Sequence, residues 1–435
     1  MCIKEMKVQE NIDKILWTAA DKVLYVMYGF VSIFQIRAMS LEDYGLFGLL
    51  IGVHSYIFVI SDSFALNNMI QFGTFPKNQG KVNSFAFILH SVITLLVSVL
   101  LYSFRSGIAD VFGEVRLTES LAALPMLTLL TIPKTFCTKL ILRERAFIKL
   151  FFSNLAFFGT MSFVTFYLII QQGTISFPEI VNMYYWGTGA SALLSIIITA
   201  NQIKFGTKGE ISYRSMLKFS VPMSLYAAFH TLPRNLDTYI AKLFFPLSTV
   251  GIYNSAKTLY RLFEEANNAT FSLIYPVAVR QMEFGNKKNV MDIMTKAISF
   301  MLIPIILIVI ILQLGVSDWL ITTFLPSKYH LAVGQFNLLM LGAIFLPLSV
   351  LTSIITASGK PAIVLKYVFS AAILSIAALV LIGLKGNSQF IPLGIVIYTV
   401  SLGIMCYFYI HKNMEMKFSY LFRFFRDTYN FLKKK

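Results

Sequence analysis

The sequence predicts an all-α membrane protein of about twelve transmembrane helices in two six-helix lobes, and three observations carry that expectation. First, hydrophobic residues make up 57% of the 435-residue chain and charged residues 13%, with a mean hydropathy of +0.70. A water-soluble fold could not hide so much apolar surface. Second, twelve segments contain the roughly 20 mostly apolar residues needed to cross about 30 Å of hydrocarbon at about 1.5 Å per residue. Third, the two halves of the chain repeat one another.

In order, a cytoplasmic N-terminus (1–14) leads into a first lobe (15–202) whose spans run near 15–36, 44–66, 84–104, 119–141, 150–171 and 178–202. A linker (203–215) precedes the second lobe (216–411), with spans near 216–243, 250–278, 295–315, 333–357, 362–384 and 390–411. The first apolar run is long enough to span and leads directly into another, so it is expected to stay as an anchor rather than be cleaved. Tyr44-Gly45-Leu46-Phe47 opens the second span and Val250-Gly251-Ile252-Tyr253 opens the eighth. Phe112 precedes Pro133 in the fourth span much as Phe324 precedes Pro347 in the tenth. Each copy holds an even number of spans, so the copies share one orientation about an axis along the membrane normal.

Twelve spans place both termini on one side. The other side has only Arg37, Arg105, Arg116, Lys328 and Lys385 in its connections, whereas the basic termini and clusters such as Arg143, Arg145 and Lys149 share the first. The positive-inside rule therefore puts both termini in the cytoplasm and accounts for a formal charge of +16 without nucleic acid. In the tail (412–435), Phe418, Leu421, Phe422, Phe425, Tyr429 and Leu432 form one helical face, with Lys417, Arg423 and Arg426 off it. That is the pattern of a basic amphipathic helix lying in the membrane interface. Cys2, Cys137 and Cys406 show no metal or disulfide spacing, and neither a Walker loop nor a His-Glu-x-x-His pair occurs. No cofactor, no metal and no ATP-driven pumping are expected.

A charge inside a span costs several kcal/mol unless it faces protein or water, so each such residue is a functional candidate. His230, Arg234 and Asp237 share one stripe of the seventh span; Lys257, Arg261, Glu264 and Asn268 share one on the eighth, with Glu265 at its margin. Spacing of i,i+3 offers ion pairs Arg234–Asp237 and Arg261–Glu264 as a structural reading. Lys257 and Lys134 are left over, and a cationic surplus suits an anionic ligand. Asp21, Tyr25, Tyr28 and Ser32 line one stripe of the first span, with Lys22 about 100° away. Asp62 and Lys366 are lone charges in their spans, and His90 reads as a packing residue. Buried acids, here Asp237, Glu264, Glu265, Asp62 and Asp21, are candidates for coupling to an ion gradient. Pro133, Pro222, Pro233, Pro276, Pro304 and Pro347 are expected to bend their spans.

The stretch Trp17-x3-Asp21-Lys22, then Gly29-Phe30-Val31-Ser32-Ile33, Arg37 and Leu41-Glu42-Asp43-Tyr44-Gly45-Leu46-Phe47, resembles the opening of polysaccharide and O-antigen flippases. These belong to the multidrug/oligosaccharidyl-lipid/polysaccharide exporter superfamily, which also holds the multidrug and toxin extrusion (MATE) transporters. Asp237, Val250-Gly251-Ile252-Tyr253-Asn254-Ser255-Ala256 and Tyr275-Pro276 resemble the start of that family's second lobe. The family's usual Ala-Arg-x-Leu-Gly-Pro is here Ile36-Arg37-Ala38-Met39-Ser40-Leu41.

The resemblance implies a MATE-like, V-shaped, non-enzymatic carrier in the bacterial inner membrane. It would move undecaprenyl-diphosphate-linked oligosaccharide repeat units of O-antigen, capsule or exopolysaccharide by alternating access. Arg234, Lys257 and Arg261, with Lys134 and Asn268, would contact the diphosphate or acidic sugars. Membrane lipids, a polysaccharide polymerase and chain-length proteins are the partners it implies. Two other classes compete: an ion-coupled multidrug or metabolite antiporter of the same fold, which calls for a net acidic cavity, and a polysaccharide polymerase. A polymerase needs a substantial outer loop with catalytic groups, whereas the outer connections reach only about 15 residues.

Overall fold

The computed structural model describes residues 2–283, 287–358 and 360–414, and all regular structure among them is helical. The amphipathic face expected at 418–432 lies outside these residues. The helices are α1 (Cys2–Ala38), α2 (Leu41–Ser61), α3 (Asn67–Gln71), α4 (Gln79–Ser103), α5 (Arg105–Val111), α6 (Leu117–Arg143), α7 (Phe147–Gln172) and α8 (Phe177–Thr199). After a linker come α9 (Tyr213–Asn235), α10 (Asp237–Phe244), α11 (Leu247–Glu283), α12 (Lys287–Ile311) and α13 (Ser317–Phe324). The chain closes with α14 (Ala332–Ala343), α15 (Leu346–Ser349), α16 (Leu351–Ala357), α17 (Pro361–Leu384) and α18 (Leu393–Met414).

Local chemistry sets the ends of several helices. Ser40 caps α2 by accepting from the Asp43 N–H at 3.0 Å, with Glu42 and Asp43 in the first turn. Ser176 and Glu179 form a capping box on α8, and Gly173 at φ 74° stops α7. Pro133 and Pro304 are carried inside α6 and α12, whereas the chain breaks just before Pro347.

Among the described residues, eight helical segments are long and apolar enough to cross a membrane, and nine when Ala332–Ala343 and Leu346–Thr356 are joined across their 44° bend. The twelve expected spans are therefore not all recovered by apolarity. The remaining three coincide with α8, α9–α10 and α11, which are helical but dilute their apolar content with polar groups. Tyr184, Tyr185, Trp186 and Thr188 sit mid-way along α8, and Arg234, Lys257, Arg261 and Glu264 on the others.

The chain forms two compact units: Met1–Thr231 with Pro246–Gly251, and Leu232–Phe245 with Ile252–Lys435. The division falls later than the linker at 203–215 because the linker and the start of α9 pack onto the first unit. Asn83 Nδ2 donates to the Lys204 carbonyl at 2.9 Å, the Glu210 N–H to Asn78 Oδ1 at 2.8 Å, and Asn68 Nδ2 to Ser220 Oγ at 2.7 Å. Met216 completes an apolar cluster with Leu66, Met69, Val82 and Phe136.

In the first unit α6, α7 and α8 pack together, with α1 on α7 and α4 and α2 on α6. The contacts are small and polar: Ser153 Oγ lies 2.6 Å from Ser195 Oγ, and Ser191 donates to the Ser153 carbonyl at 2.8 Å. In the second unit α17 packs on α18, where Ser375 donates to the Gly394 carbonyl at 2.7 Å. Large apolar side chains point outward instead, among them Phe163, Ile170, Trp186 and Leu193. Lipid removes the hydrophobic drive between helices, so close packing and hydrogen bonds must supply it, which small residues allow.

Within the first unit, the opening turns of α2 and α11 cross at the repeated glycines. A Cβ on Gly45 would collide with the Leu247 carbonyl oxygen, and one on Gly251 with that of Leu41. Because the obstacle is backbone, Gly45→Ala or Gly251→Ala is expected to cost about 1–3 kcal/mol of stability. Gly159→Ala, where nothing lies within 4 Å, should cost nothing measurable. Thermal unfolding of the purified variants in detergent checks this contrast.

Candidate functional site

In the first unit, α1, the turn that follows α2, α6 and α7 line an open cavity of about 330 Å³ with mainly charged and polar side chains. From α1 come Asp21, Lys22 and Tyr25; Asp62 follows α2; Lys134, Thr138 and Lys139 come from α6, and Asn154 from α7. Asp62 opens a π-helical turn, Asp62–Leu66, which inserts one extra residue per turn and sets the carboxylate toward α6. Lys139 Nζ lies 2.8 Å from Asp62 Oδ2 and donates to Asn67 Oδ1 at 2.8 Å. Asn154 Nδ2 donates to the buried Asp21 at 2.7 Å. Lys134 sits with its ammonium 3.6 Å from the centre of the Phe157 ring, a cation–π contact.

Three of the sequence candidates, Asp21, Asp62 and Lys134, thus share one cavity. Lys22, placed off the α1 stripe by its register, joins them because its long side chain swings past the helix face. Lys139 and Asn154 escaped sequence reasoning, although a charge or amide in an apolar run was the signal for both. Cations outnumber carboxylates here, three to two. Behind the cavity, His90 is fully buried, with Nδ1 2.8 Å from Ser61 Oγ and Nε2 2.9 Å from Thr135 Oγ1, as a packing residue should be.

The second unit holds a separate charged cluster. Asp237 is fully buried and accepts from Lys257 at 2.6 Å and from the Tyr253 hydroxyl. Arg234 Nε lies 3.3 Å from Glu264 Oε1, and its guanidinium faces the Tyr398 ring. Both pairings join α11 to the segments before it, in place of the expected i,i+3 pairs Arg234–Asp237 and Arg261–Glu264. The cause is the break at Leu236, which ends α9 and starts α10 at Asp237, so Arg234 and Asp237 no longer share a stripe. Arg261 and Glu265 are exposed, and the Asn268 side chain lies outside the described residues.

Lys257 is 3% exposed and Asp237 0%, so the two charges satisfy each other and leave little for a ligand. Removing one partner of such a pair strands the other. Asp237→Asn should destabilise by about 3–5 kcal/mol, while Asp237→Leu combined with Lys257→Met should recover most of the loss. Folded yield and thermal unfolding in detergent would show this, and a double variant no better than the single would refute the pairing argument.

Comparison with known proteins places this geometry. No curated protein matches the sequence. Among solved structures, the chain is similar to an inward-facing multidrug resistance MATE family transporter of the MOP superfamily. The TM-score is 0.72 at 11% identity, covering 92% of this chain and 98% of that one. It is equally similar to the lipid II flippase MurJ in an inward closed conformation, with a TM-score of 0.72 at 15% identity over 94% of this chain and 90% of the other. A MOP superfamily transporter from Pyrococcus furiosus, described as having a binding pocket of reverse polarity, gives 0.61 at 13% identity over 93% and 94%. At such identities the likeness is one of fold, an all-α, multi-pass architecture. Residues 36–334 match the family described as polysaccharide biosynthesis protein. That match covers more than half of the chain, including Asp62, Lys134, Lys139 and the charged cluster of the second unit, and the chain belongs to the polysaccharide biosynthesis protein family.

Proposed function

We propose that the protein is a flippase that carries an undecaprenyl-diphosphate-linked oligosaccharide across the bacterial inner membrane by alternating access, with both termini in the cytoplasm. The observation that carries this reading is the match to the polysaccharide biosynthesis family over residues 36–334. The cation surplus of the first-unit cavity supports an anionic cargo, since a carrier of cationic drugs needs the opposite balance. The fold also serves a protein named as a lipid II flippase, so it accommodates a lipid-linked sugar. No covalent step is required of the chain; its residues bind, shield and release. Of the cationic candidates, Lys134 and the exposed Arg261 are better placed to meet an anion than Lys257, which Asp237 neutralises.

Deleting the gene should strand lipid-linked repeat units on the cytoplasmic leaflet and remove the surface polymer. Normal surface polymer, with no related transporter compensating, would overturn the proposal. Carboxylates within the spans, Asp21, Asp62, Asp237 and Glu264, also motivate gradient coupling. In sealed vesicles, collapsing the proton and Na⁺ gradients should slow net substrate accumulation several-fold, and undiminished accumulation would exclude such coupling.

A further inference from the structure

We infer that the first-unit cavity is an oxyanion site whose resident counter-ion is Asp62, and that a phosphate or carboxylate group of the cargo takes the place of Asp62 beside Lys139. The inference rests on the flippase reading only for the identity of the cargo. The geometry stands within one unit.

Lys139 donates to Asn67 Oδ1 and forms an ion pair with Asp62 Oδ2, each at 2.8 Å. The pair is not sealed: Asp62 retains 30% of its side-chain exposure and Lys139 15%, both toward a cavity they line. This differs from the second-unit pair Lys257–Asp237, at 4% and 0%, which no ligand can reach. Lys134 lines the same cavity with its ammonium over the Phe157 ring, and a ring face stabilises an ammonium far less than an anion does. Asp21, on the same cavity, is held through Oδ1 by the amide of Asn154.

An incoming oxyanion would therefore gain Lys134 outright and Lys139 by displacing a carboxylate that water in the cavity can receive. The π-helical turn that begins at Asp62 gives this side chain a backbone setting unlike the rest of α2, and such turns recur at functional sites. At about 330 Å³ the cavity is at the small end of ligand pockets, suited to one charged group rather than a whole repeat unit. It would hold the anionic handle of the cargo and leave the sugars elsewhere. Displacement of an internal counter-ion also keeps affinity moderate, as a carrier that must release its cargo requires.

The test uses the full-length protein in phosphatidylcholine nanodiscs, titrated with inorganic pyrophosphate by calorimetry, with glucuronate as the carboxylate arm. Lys134→Gln and Lys139→Gln should each weaken binding by about tenfold or more, and Asp62→Asn should tighten it several-fold by removing the competitor. Because Lys139→Gln strands Asp62, the double variant Asp62→Asn/Lys139→Gln is included. It should fold like the parent by thermal unfolding and bind weakly. Competition by phosphatidylglycerol placed in the nanodisc would assign the anion to a lipid headgroup, and its absence would assign it to the soluble or cargo phosphate. Binding that is unaffected by Lys134→Gln, or that Asp62→Asn weakens, overturns the site. The deletion phenotype is read independently, so loss of polymer without pyrophosphate binding would sink this site and leave the flippase reading intact.

Discussion

A charge inside hydrocarbon must find a partner or water, and the interior of this chain is organised by how each charge meets that demand. The second unit meets it by closure. Asp237 accepts from Lys257 and Tyr253 with no exposure, which fixes α10 against α11 but spends both charges. The first unit meets it by partial pairing: Lys139 shares Asp62 with a cavity, Asp21 takes an amide, and Lys134 takes a ring. Closed pairs hold helices together, whereas an unbalanced cavity is where a ligand of opposite sign can contribute free energy.

The same solvent explains the packing around these charges. Where lipid surrounds the bundle, burying a Leu against another Leu gains little over burying it in lipid, so the interior goes to groups that bond or approach closely. Ser153, Ser191 and Ser195 join α7 to α8, Gln35 reaches Thr165 at 2.8 Å between α1 and α7, and Phe163 and Leu193 face outward. Polar residues near the centre of a span are thus of two kinds. Hydroxyls and amides join helices, and charges mark a cavity or a closed pair.

Much of this was legible in the sequence because it depends on composition and period. The apolar runs mark the helices, and the rule that charges in spans are candidates singles out Asp21, Asp62 and Lys134, which line one cavity. What escaped depends on departures from a regular helix. The break at Leu236 changed the partners of Arg234 and Asp237, and no periodicity argument that assumes one continuous span could find it. The π-helical turn at Asp62 shifted its register toward Lys139 in the same way. Lys22, about 100° off the Asp21 stripe by register, still lines the cavity, because a register argument locates a Cβ and the ammonium lies several bonds beyond it. The unit boundary escaped because the linker is held by backbone groups through Asn78 and Asn83, whose single side chains carry no periodic signal.

The internal repeat shows how a sequence signal can become a physical contact. Gly45 and Gly251 were first equivalent positions in two copies of a motif, and in the structure each packs against a carbonyl of the other's segment, Leu247 and Leu41 respectively. Leu41 and Leu247 are themselves equivalent under the same offset, so the contact is reciprocal, as a local two-fold relation between the two segments requires. Reciprocity also accounts for why this part of the repeat is readable at all. A side chain on either segment would meet backbone of the other, which cannot turn aside as a flexible side chain can, so neither position can drift from glycine alone. Elsewhere along the repeat each copy meets different neighbours and is free to diverge, as at Asp62, whose equivalent under the same offset is the uncharged Asn268.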